Sequence, residues 1–229
     1  MSFLDKLRPL NEREAPRPTA PAERRESAGG NRRVSNGLKD FLWLLGDVEH
    51  GRLLDLGPVW QSTVGFFTER SFRVYTEDVL RGWKEFLREE ENRLRQAPVG
   101  STAESEPGAL AQRFLAANLQ HPAETFHAIL AWDVFDYLDA DVLPRLGQRL
   151  HELLRPGGVV LAAFHAAKPE GFYRYRIIDA QTVELVAAPP LFPLQRIFQN
   201  REIMNLFGRF RSSKTFVGRD QLREALFNK

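Results

Sequence analysis

The sequence predicts an α/β fold with a doubly wound, mostly parallel sheet and helices on both of its faces. Short apolar runs alternate with amphipathic helical segments from about residue 35, which is the pattern of successive βα units. Later in the chain, two runs of alternating polar and apolar residues flank a short turn and predict an antiparallel hairpin. The length of 229 residues suits one large domain with extensions.

The composition excludes several classes of protein. Hydrophobic residues make up 43% of the chain and charged residues 27%, and no apolar run approaches the roughly 18 residues that cross a bilayer. The chain has no cysteine, which excludes disulfides, thiolate zinc sites, iron–sulfur clusters and cysteine nucleophiles. The lack of cysteine and of a secretory leader predicts a cytoplasmic location without a membrane span. The net charge of +2 is too small to indicate a nucleic-acid partner.

Residues 1–33 are predicted to form a disordered N-terminal tail. Between Asn11 and Arg33 no apolar residue other than proline is larger than alanine, so the segment buries too little surface to offset its conformational entropy. The first ten residues carry Phe3 and three leucines at helical spacing, so this tip either stays solvated or docks on a protein partner. The folded domain is therefore predicted over residues 34–229.

The first half of the domain is predicted to contain two strand and helix pairs after an initial helix. That helix begins after Ser35, a suitable N-cap, and carries Phe41 on its apolar face. The segments that follow are RLLDLG (52–57) as a strand, QSTVGFFTER (61–70) as a helix, FRVYTED (72–78) as a strand and VLRGWKEFLREEENRLRQ (79–96) as an amphipathic helix.

The second half is predicted to begin with a flexible insertion at 96–108, which is rich in proline, glycine and serine. Three buried strands are then predicted: RFLAANL (113–119), FHAILAWDVF (126–135) and GGVVLAAFHA (157–166). A helix within 139–158 connects the last two and ends at Pro156 and Gly157. A β-hairpin near 171–188 and a final antiparallel strand at 207–217 complete the predicted domain.

Several polar residues fall where a doubly wound sheet binds its ligands, beyond the carboxyl ends of the strands. Asp55 and Gly57 end the first strand of the predicted sheet, and Asp78 lies 23 positions after Asp55. Asn118 and Leu119 end the predicted third strand, and RPGG at 155–158 precedes the fifth. This ordered series resembles the class I S-adenosylmethionine-dependent methyltransferases. The resemblance runs from Ser35 to Lys229 and implies a seven-stranded sheet with an antiparallel last strand.

The resemblance implies S-adenosylmethionine as the cofactor and assigns residues to its binding. These residues are Asp55, Gly57, Gln61, Glu77, Asp78, Asn118, Leu119 and Asp133. Asp78 is expected to bind the ribose hydroxyls, with Glu77 as the alternative acid and capping of the next helix as the alternative role. Asn118 is expected either to contact adenine or to form a turn. Asp55 is expected to hold the turn together through backbone donors.

The turn after the first strand departs from the family pattern. Pro58, Val59, Trp60 and Gln61 stand where the family has small residues that let the backbone approach the methionine part of the cofactor. Room in this turn would indicate an enzyme. If Trp60 or Gln61 fills the space, the chain is instead a catalytically inactive interaction or scaffold module.

Candidate proton acceptors lie at the ends of the fourth and fifth strands. Asp133, Asp136 and His165 are the predicted catalytic residues, with helix capping and structural hydrogen bonds as their alternative roles. Methyl transfer otherwise depends on alignment and on exclusion of water. The hairpin segment YRYR either covers this pocket or belongs to an amphipathic pair with one solvated face. The predicted function is methyl transfer to a small-molecule or protein acceptor, without a metal.

Overall fold

The computed structural model describes residues 31–96, 108–218 and 220–229. The strands of this part are β1 (Asn31–Val34), β2 (Arg52–Asp55), β3 (Arg73–Thr76), β4 (Phe126–Trp132), β5 (Leu154–His165), β6 (Tyr173–Ile177), β7 (Thr182–Ala187), β8 (Ser212–Val217) and β9 (Leu222–Asn228). The helices are α1 (Asn36–Leu44), α2 (Gln61–Thr68), α3 (Val79–Gln96), α4 (Ala109–Asn118), α5 (Val134–Tyr137), α6 (Leu143–Leu153) and α7 (Asn200–Leu206).

A six-stranded sheet in the order β3-β2-β4-β5-β9-β8 forms the centre of the fold. The pairs β2–β3, β2–β4 and β4–β5 are parallel, whereas β9 runs antiparallel to both β5 and β8. The predicted α/β class, with a mostly parallel sheet and a reversed last strand, is confirmed. The segment predicted as the final strand is β8, and β9 follows it as the reversed strand.

The sheet has six strands instead of seven because the segment 113–119 is helical. It belongs to α4, whose buried residues Ala111, Phe114 and Leu115 are spaced three and four apart on one face. The run contains alanine and leucine, which favour helices, and none of the β-branched residues that favour strands. The predicted third strand is therefore wrong.

A separate three-stranded antiparallel sheet has the order β1-β7-β6. The predicted hairpin is present as β6 and β7, and β1 adds to it. The predicted tail boundary is thus wrong for residues 31–33, because Arg32 and Arg33 pair with the buried carboxylates of Glu184 and Glu224. The rest of the predicted tail, residues 1–30, lies outside the described residues.

The predicted flexible insertion at 96–108 falls almost entirely outside the described residues, since only its two ends are described. Gln96 ends α3, and Gly108 is the N-cap of α4 with a φ of 84°. Within the described ranges, none of the helices combines the length and the apolar character that crossing a membrane requires.

Side chains of β4 alternate between two apolar clusters on the two faces of the central sheet. Ile129 and Ala131 pack with α3 to α7 on one face. Ala128 and Leu130 pack on the other face with α1, α2 and the inner side of the β6–β7 hairpin. The three-stranded sheet therefore takes the place of a helical layer beside the carboxyl end of β4.

Candidate functional site

Asp55 ties the turn after β2 to the end of β4. It is the last residue of β2 and is 2% exposed. Its Oδ1 accepts a hydrogen bond from the backbone N–H of Gly57 at 2.9 Å and another from the indole Nε1 of Trp132 at 2.7 Å. Burial raises the pKa of Asp55 from 3.8 to about 7, and the charge of Asp78 adds to the increase, while the two hydrogen bonds lower it.

The indole of Trp132 covers this turn. Trp132 ends β4, is 5% exposed and has a φ of 45°, a left-handed backbone conformation that is strained for a residue with a side chain. The register between β4 and β5 shifts between Leu130 and Trp132, and such irregularities re-aim side chains. A Cβ atom on Gly57 would lie 3.0 Å from Cδ1 of Trp132, so a side chain at this position would push the indole away from the turn.

Asp78 uses both of its carboxylate oxygens. Oδ1 accepts a hydrogen bond from the backbone N–H of Arg81 at 3.2 Å, which is the capping role. Oδ2 lies 3.1 Å from Nη2 of Arg174 in β6, and the two side chains are only 18% and 13% exposed. Oε1 of Glu77, the alternative acid, is instead 3.3 Å from Nε2 of His121.

Asn118 and Leu119 were predicted at the end of a strand, but they lie at the end of α4. The side-chain amide of Asn118 donates to the carbonyl of Phe114 at 3.0 Å, and its Oδ1 would be 3.1 Å from a Cβ added at Gly82. Leu119 is buried, and its carbonyl accepts a hydrogen bond from Arg149 at 2.7 Å. The strand-end basis of the adenine prediction is therefore lost.

Asp133 and His165 meet at the carboxyl ends of β4 and β5. Oδ2 of Asp133 lies 3.1 Å from Nε2 of His165 and accepts a hydrogen bond from the hydroxyl of Tyr175 at 3.0 Å. The hydroxyl of Tyr137 is 3.5 Å from the same His165 nitrogen. Burial, and then the negative charge of Asp133, raise the pKa of both tyrosine hydroxyls, so both stay protonated at neutral pH.

Asp136 holds the backbone of His165. Its Oδ2 accepts a hydrogen bond from the backbone N–H of His165 at 2.6 Å, and its side chain is fully buried on α5. Burial raises the pKa of Asp136 well above its usual value, and the neighbouring Asp133 adds to the increase. Asp136 therefore positions His165, and its Oδ2 is already engaged by the backbone N–H.

Trp60 and Gln61 were expected to decide whether the turn has room for the cofactor, but neither residue fills it. Gln61 is exposed at the start of α2. Trp60 is half-buried beside the guanidinium of Arg176, which lies 5.4 Å from its ring centroid. The space over the turn is taken by Trp132.

The site fits the cofactor implied by the resemblance at one end only. Asp78 offers a carboxylate where the ribose is expected. At the methionine end, the ring of Tyr175 stacks on Trp132, with centroids 5.4 Å apart and planes inclined by 8°. In this conformation the indole of Trp132 therefore covers the turn where the methionine part is expected.

Trp132 was not among the predicted residues of this site, and Arg174 and Tyr175 were named only as part of the hairpin segment. Trp132 directly precedes Asp133, so a signal existed in its position at the carboxyl end of a predicted strand. Both hairpin residues belong to the YRYR segment, and covering a pocket was one of its two interpretations. The side-chain contacts of β6 with this edge of the central sheet depend on tertiary packing, which the local pattern does not encode.

Comparisons with known proteins identify similar structures but no matching family. No protein family model matches the chain, and no curated protein matches it. The chain is similar to the solved structure of Burkholderia thailandensis 1,6-didemethyltoxoflavin-N1-methyltransferase with bound 1,6-didemethyltoxoflavin and S-adenosylhomocysteine. The identity is 18%, the match covers 84% of this chain and 76% of that chain, and the TM-score is 0.46.

Two further similar structures are also S-adenosylmethionine-dependent methyltransferases. The one from Aquifex aeolicus has 14% identity and a TM-score of 0.45, with 85% of this chain and 90% of that chain covered. A TehB-like enzyme from Corynebacterium glutamicum has 14% identity and a TM-score of 0.44, with 84% of this chain and 87% of that chain covered. At this level of similarity the comparisons carry no argument about activity, which has to come from the site itself.

Proposed function

We propose that this chain is an S-adenosylmethionine-dependent methyltransferase that acts on a small-molecule or protein acceptor. The main support is the convergence of acidic and basic side chains at the edge where the strand order reverses. Asp55, Asp78 and the Asp133–His165 pair come from four different segments and meet at the carboxyl ends of β2 to β5. Polar residues converging on one edge from separate strands indicate a site and not a surface face.

Asp133 and His165 are proposed to hold the proton that the acceptor loses. A carboxylate oxygen only accepts hydrogen bonds, so the proposal assigns the hydrogen of the His165 ring to Nε2, the atom that faces Oδ2 of Asp133. Nδ1 of His165 then keeps its lone pair and can accept a proton. Asp136 fixes the backbone of His165 and acts as a positioning residue.

Asp55 and Asp78 are proposed to support the cofactor. Asp78 would hold the ribose hydroxyls, and Asp55 would keep the Gly57 turn in place. S-adenosylmethionine, when bound, supplies an electrophilic methyl group, so the protein needs to contribute alignment and a dry site. The buried position of Asp133 and His165, 3% and 6% exposed, meets the second requirement.

Isothermal calorimetry with S-adenosylmethionine and S-adenosylhomocysteine tests this proposal without knowledge of the acceptor. Saturable binding to the full chain is expected. Absence of heat at millimolar concentrations of both ligands, for the wild type and for variants that open the site, would refute it.

One set of contacts favours a second candidate function, a catalytically inactive interaction or scaffold module. Tyr175 and Trp132 fill the methionine end, and Arg174 neutralises Asp78. A site that these contacts close permanently would not bind the cofactor. The same titration separates the two candidates, because an inactive module binds neither ligand.

A further inference from the structure

We propose that β6 is a displaceable gate whose own side chains occupy the cofactor site until the cofactor replaces them. This inference rests on the proposed function and specifies how its site is regulated. Two side chains that are neighbours on β6, Arg174 and Tyr175, reach the two ends of the site. The hairpin therefore acts as an internal competitor of the cofactor.

At the ribose end, Arg174 occupies the carboxylate that the ribose would use. Its guanidinium lies 3.1 Å from Oδ2 of Asp78, and the other oxygen of Asp78 caps α3. The ion pair is mostly buried, so solvent screens it less than a surface pair. A ligand hydroxyl at Asp78 has to displace the guanidinium from this oxygen.

At the methionine end, Tyr175 makes two contacts that also depend on the closed position. Its ring lies flat on the indole of Trp132, and its hydroxyl donates to Asp133. One strand thus holds the Trp132 indole over the cofactor turn and shields the proposed proton acceptor. Opening the gate would uncover Asp133 and free the indole to leave the turn.

The topology lets β6 move without breaking a strand ladder of the central sheet. β6 is an edge strand of the small sheet, and within the described residues its only strand partner is β7. Its contacts across the cleft are made by side chains, together with one backbone bond from the N–H of Ile177 to Oγ1 of Thr63 at 2.9 Å. Because the other edge of β7 pairs with β1, the hairpin keeps its strand hydrogen bonds if the three strands of the small sheet move together.

A closed gate lowers the apparent affinity for the cofactor by the fraction of molecules that are open. Arg174→Ala removes the contact at Asp78 and shifts the population toward the open form. Loss of one charge-assisted hydrogen bond is expected to tighten the binding of S-adenosylhomocysteine by about tenfold, which corresponds to about 1.4 kcal/mol.

The experiment compares three full-length proteins by calorimetry with S-adenosylhomocysteine: the wild type, Arg174→Ala and Arg32→Ala. Arg32 is the control, because it also pairs with a carboxylate, Glu184 of the small sheet, but belongs to β1 and is 64% exposed. The expected result is tighter binding for Arg174→Ala and unchanged binding for Arg32→Ala.

Hydrogen exchange of the wild type provides a readout that does not depend on any variant. Ligands ordinarily slow amide exchange where they bind. Here the ligand is expected to accelerate exchange at Ile177, because opening breaks its bond to Thr63. Tighter binding by Arg174→Ala together with faster exchange at Ile177 supports the gate.

The remaining outcomes overturn the gate, and they differ in what they leave standing. If the wild type binds and Arg174→Ala binds no more tightly, or if exchange at Ile177 slows on binding, the gate is refuted and the proposed methyltransferase function stands. If none of the three proteins binds the ligand, both the gate and the proposed function are refuted.

Discussion

Replacing Asp55 with asparagine is expected to stabilise the protein at pH 8 and to remove part of its pH dependence. The buried carboxyl group has a pKa of about 7 instead of 3.8. Asparagine keeps an oxygen that can accept both the Gly57 N–H and the Trp132 indole N–H, since both bind the same atom, Oδ1. The substitution therefore removes the ionisable group while preserving the hydrogen bonds.

The magnitude and the direction follow from the pKa difference. Between pH 3.8 and about 7, the unfolded chain has lost a proton that the folded protein still holds, so the stability conferred by neutral Asp55 falls as pH rises. Above about pH 7 the folded protein ionises as well, and the loss is complete. A difference of about three pKa units, at about 1.36 kcal/mol each, limits the loss to about 4 kcal/mol.

Urea unfolding at pH 5, 6, 7 and 8 measures this effect. Asp55→Asn is expected to gain stability over the wild type progressively from pH 5 to pH 7, with little further gain at pH 8. Asp47→Asn is the control, because Asp47 is exposed and is expected to change the slope very little. An Asp55→Asn protein that keeps the wild-type pH slope, or that loses stability at pH 8, would show that Asp55 is ionised when buried.

Three further outcomes are expected. Trp132→Ala should lower the free energy of unfolding in urea by about 3 kcal/mol, because it leaves a cavity beside Tyr175. Trp43 is 80% exposed, so Trp43→Ala should change the free energy of unfolding by less than about 0.5 kcal/mol. Equal effects of the two substitutions would contradict the packing role of Trp132. Gly65→Ala should stabilise α2 by about 0.5 to 1 kcal/mol, because a Cβ at this position meets open space. Gly51→Ala should destabilise the protein, because its Cβ would lie 2.2 Å from the ring of Phe72. Thermal melts in which the order of the two variants is reversed would refute this packing. Asp78→Ala introduced into Arg174→Ala should weaken S-adenosylhomocysteine binding by about tenfold, since the gate contact is already absent in that background; unchanged affinity in calorimetry would leave Asp78 with only its capping role.

The sequence predicted the parts of the fold that depend on local periodicity. The amphipathic segment from Val79 to Gln96 is a helix, and the apolar runs that contain Asp55 and Trp132 are neighbouring parallel strands. Each of these elements has a length and a hydrophobic period that fit one kind of structure. The reversed last strand was also predicted, although β9 forms it and not β8.

The errors arose where local pattern and tertiary packing disagree. RFLAANL is short and apolar, so periodicity alone does not separate a buried strand from a helix. Arg32 and Arg33 looked like part of a solvated tail because their carboxylate partners, Glu184 and Glu224, lie more than 150 residues away in the chain. Long-range ion pairs of this kind leave no trace in a local window.

Only the strand-end residues of the candidate site could be predicted, because the contacts that close the site are also long-range. Strand ends are visible in the sequence, so Asp133 and His165 were expected after two neighbouring strands, where they lie 3.1 Å apart, while their catalytic role stays a prediction. The closure of that edge was not visible, because it depends on Tyr175 reaching Trp132 from a strand of a different sheet. A left-handed backbone at Trp132 is likewise a consequence of the assembled fold.

A crystal structure of the full-length Arg174→Ala protein with S-adenosylhomocysteine would show whether the site opens to admit the cofactor. We expect the ligand at the carboxyl ends of β2 to β4, with its ribose hydroxyls on Asp78 and with Tyr175 displaced from Trp132. A structure in which the Trp132–Tyr175 stack persists, and no ligand lies at this edge even at millimolar concentration, would contradict it.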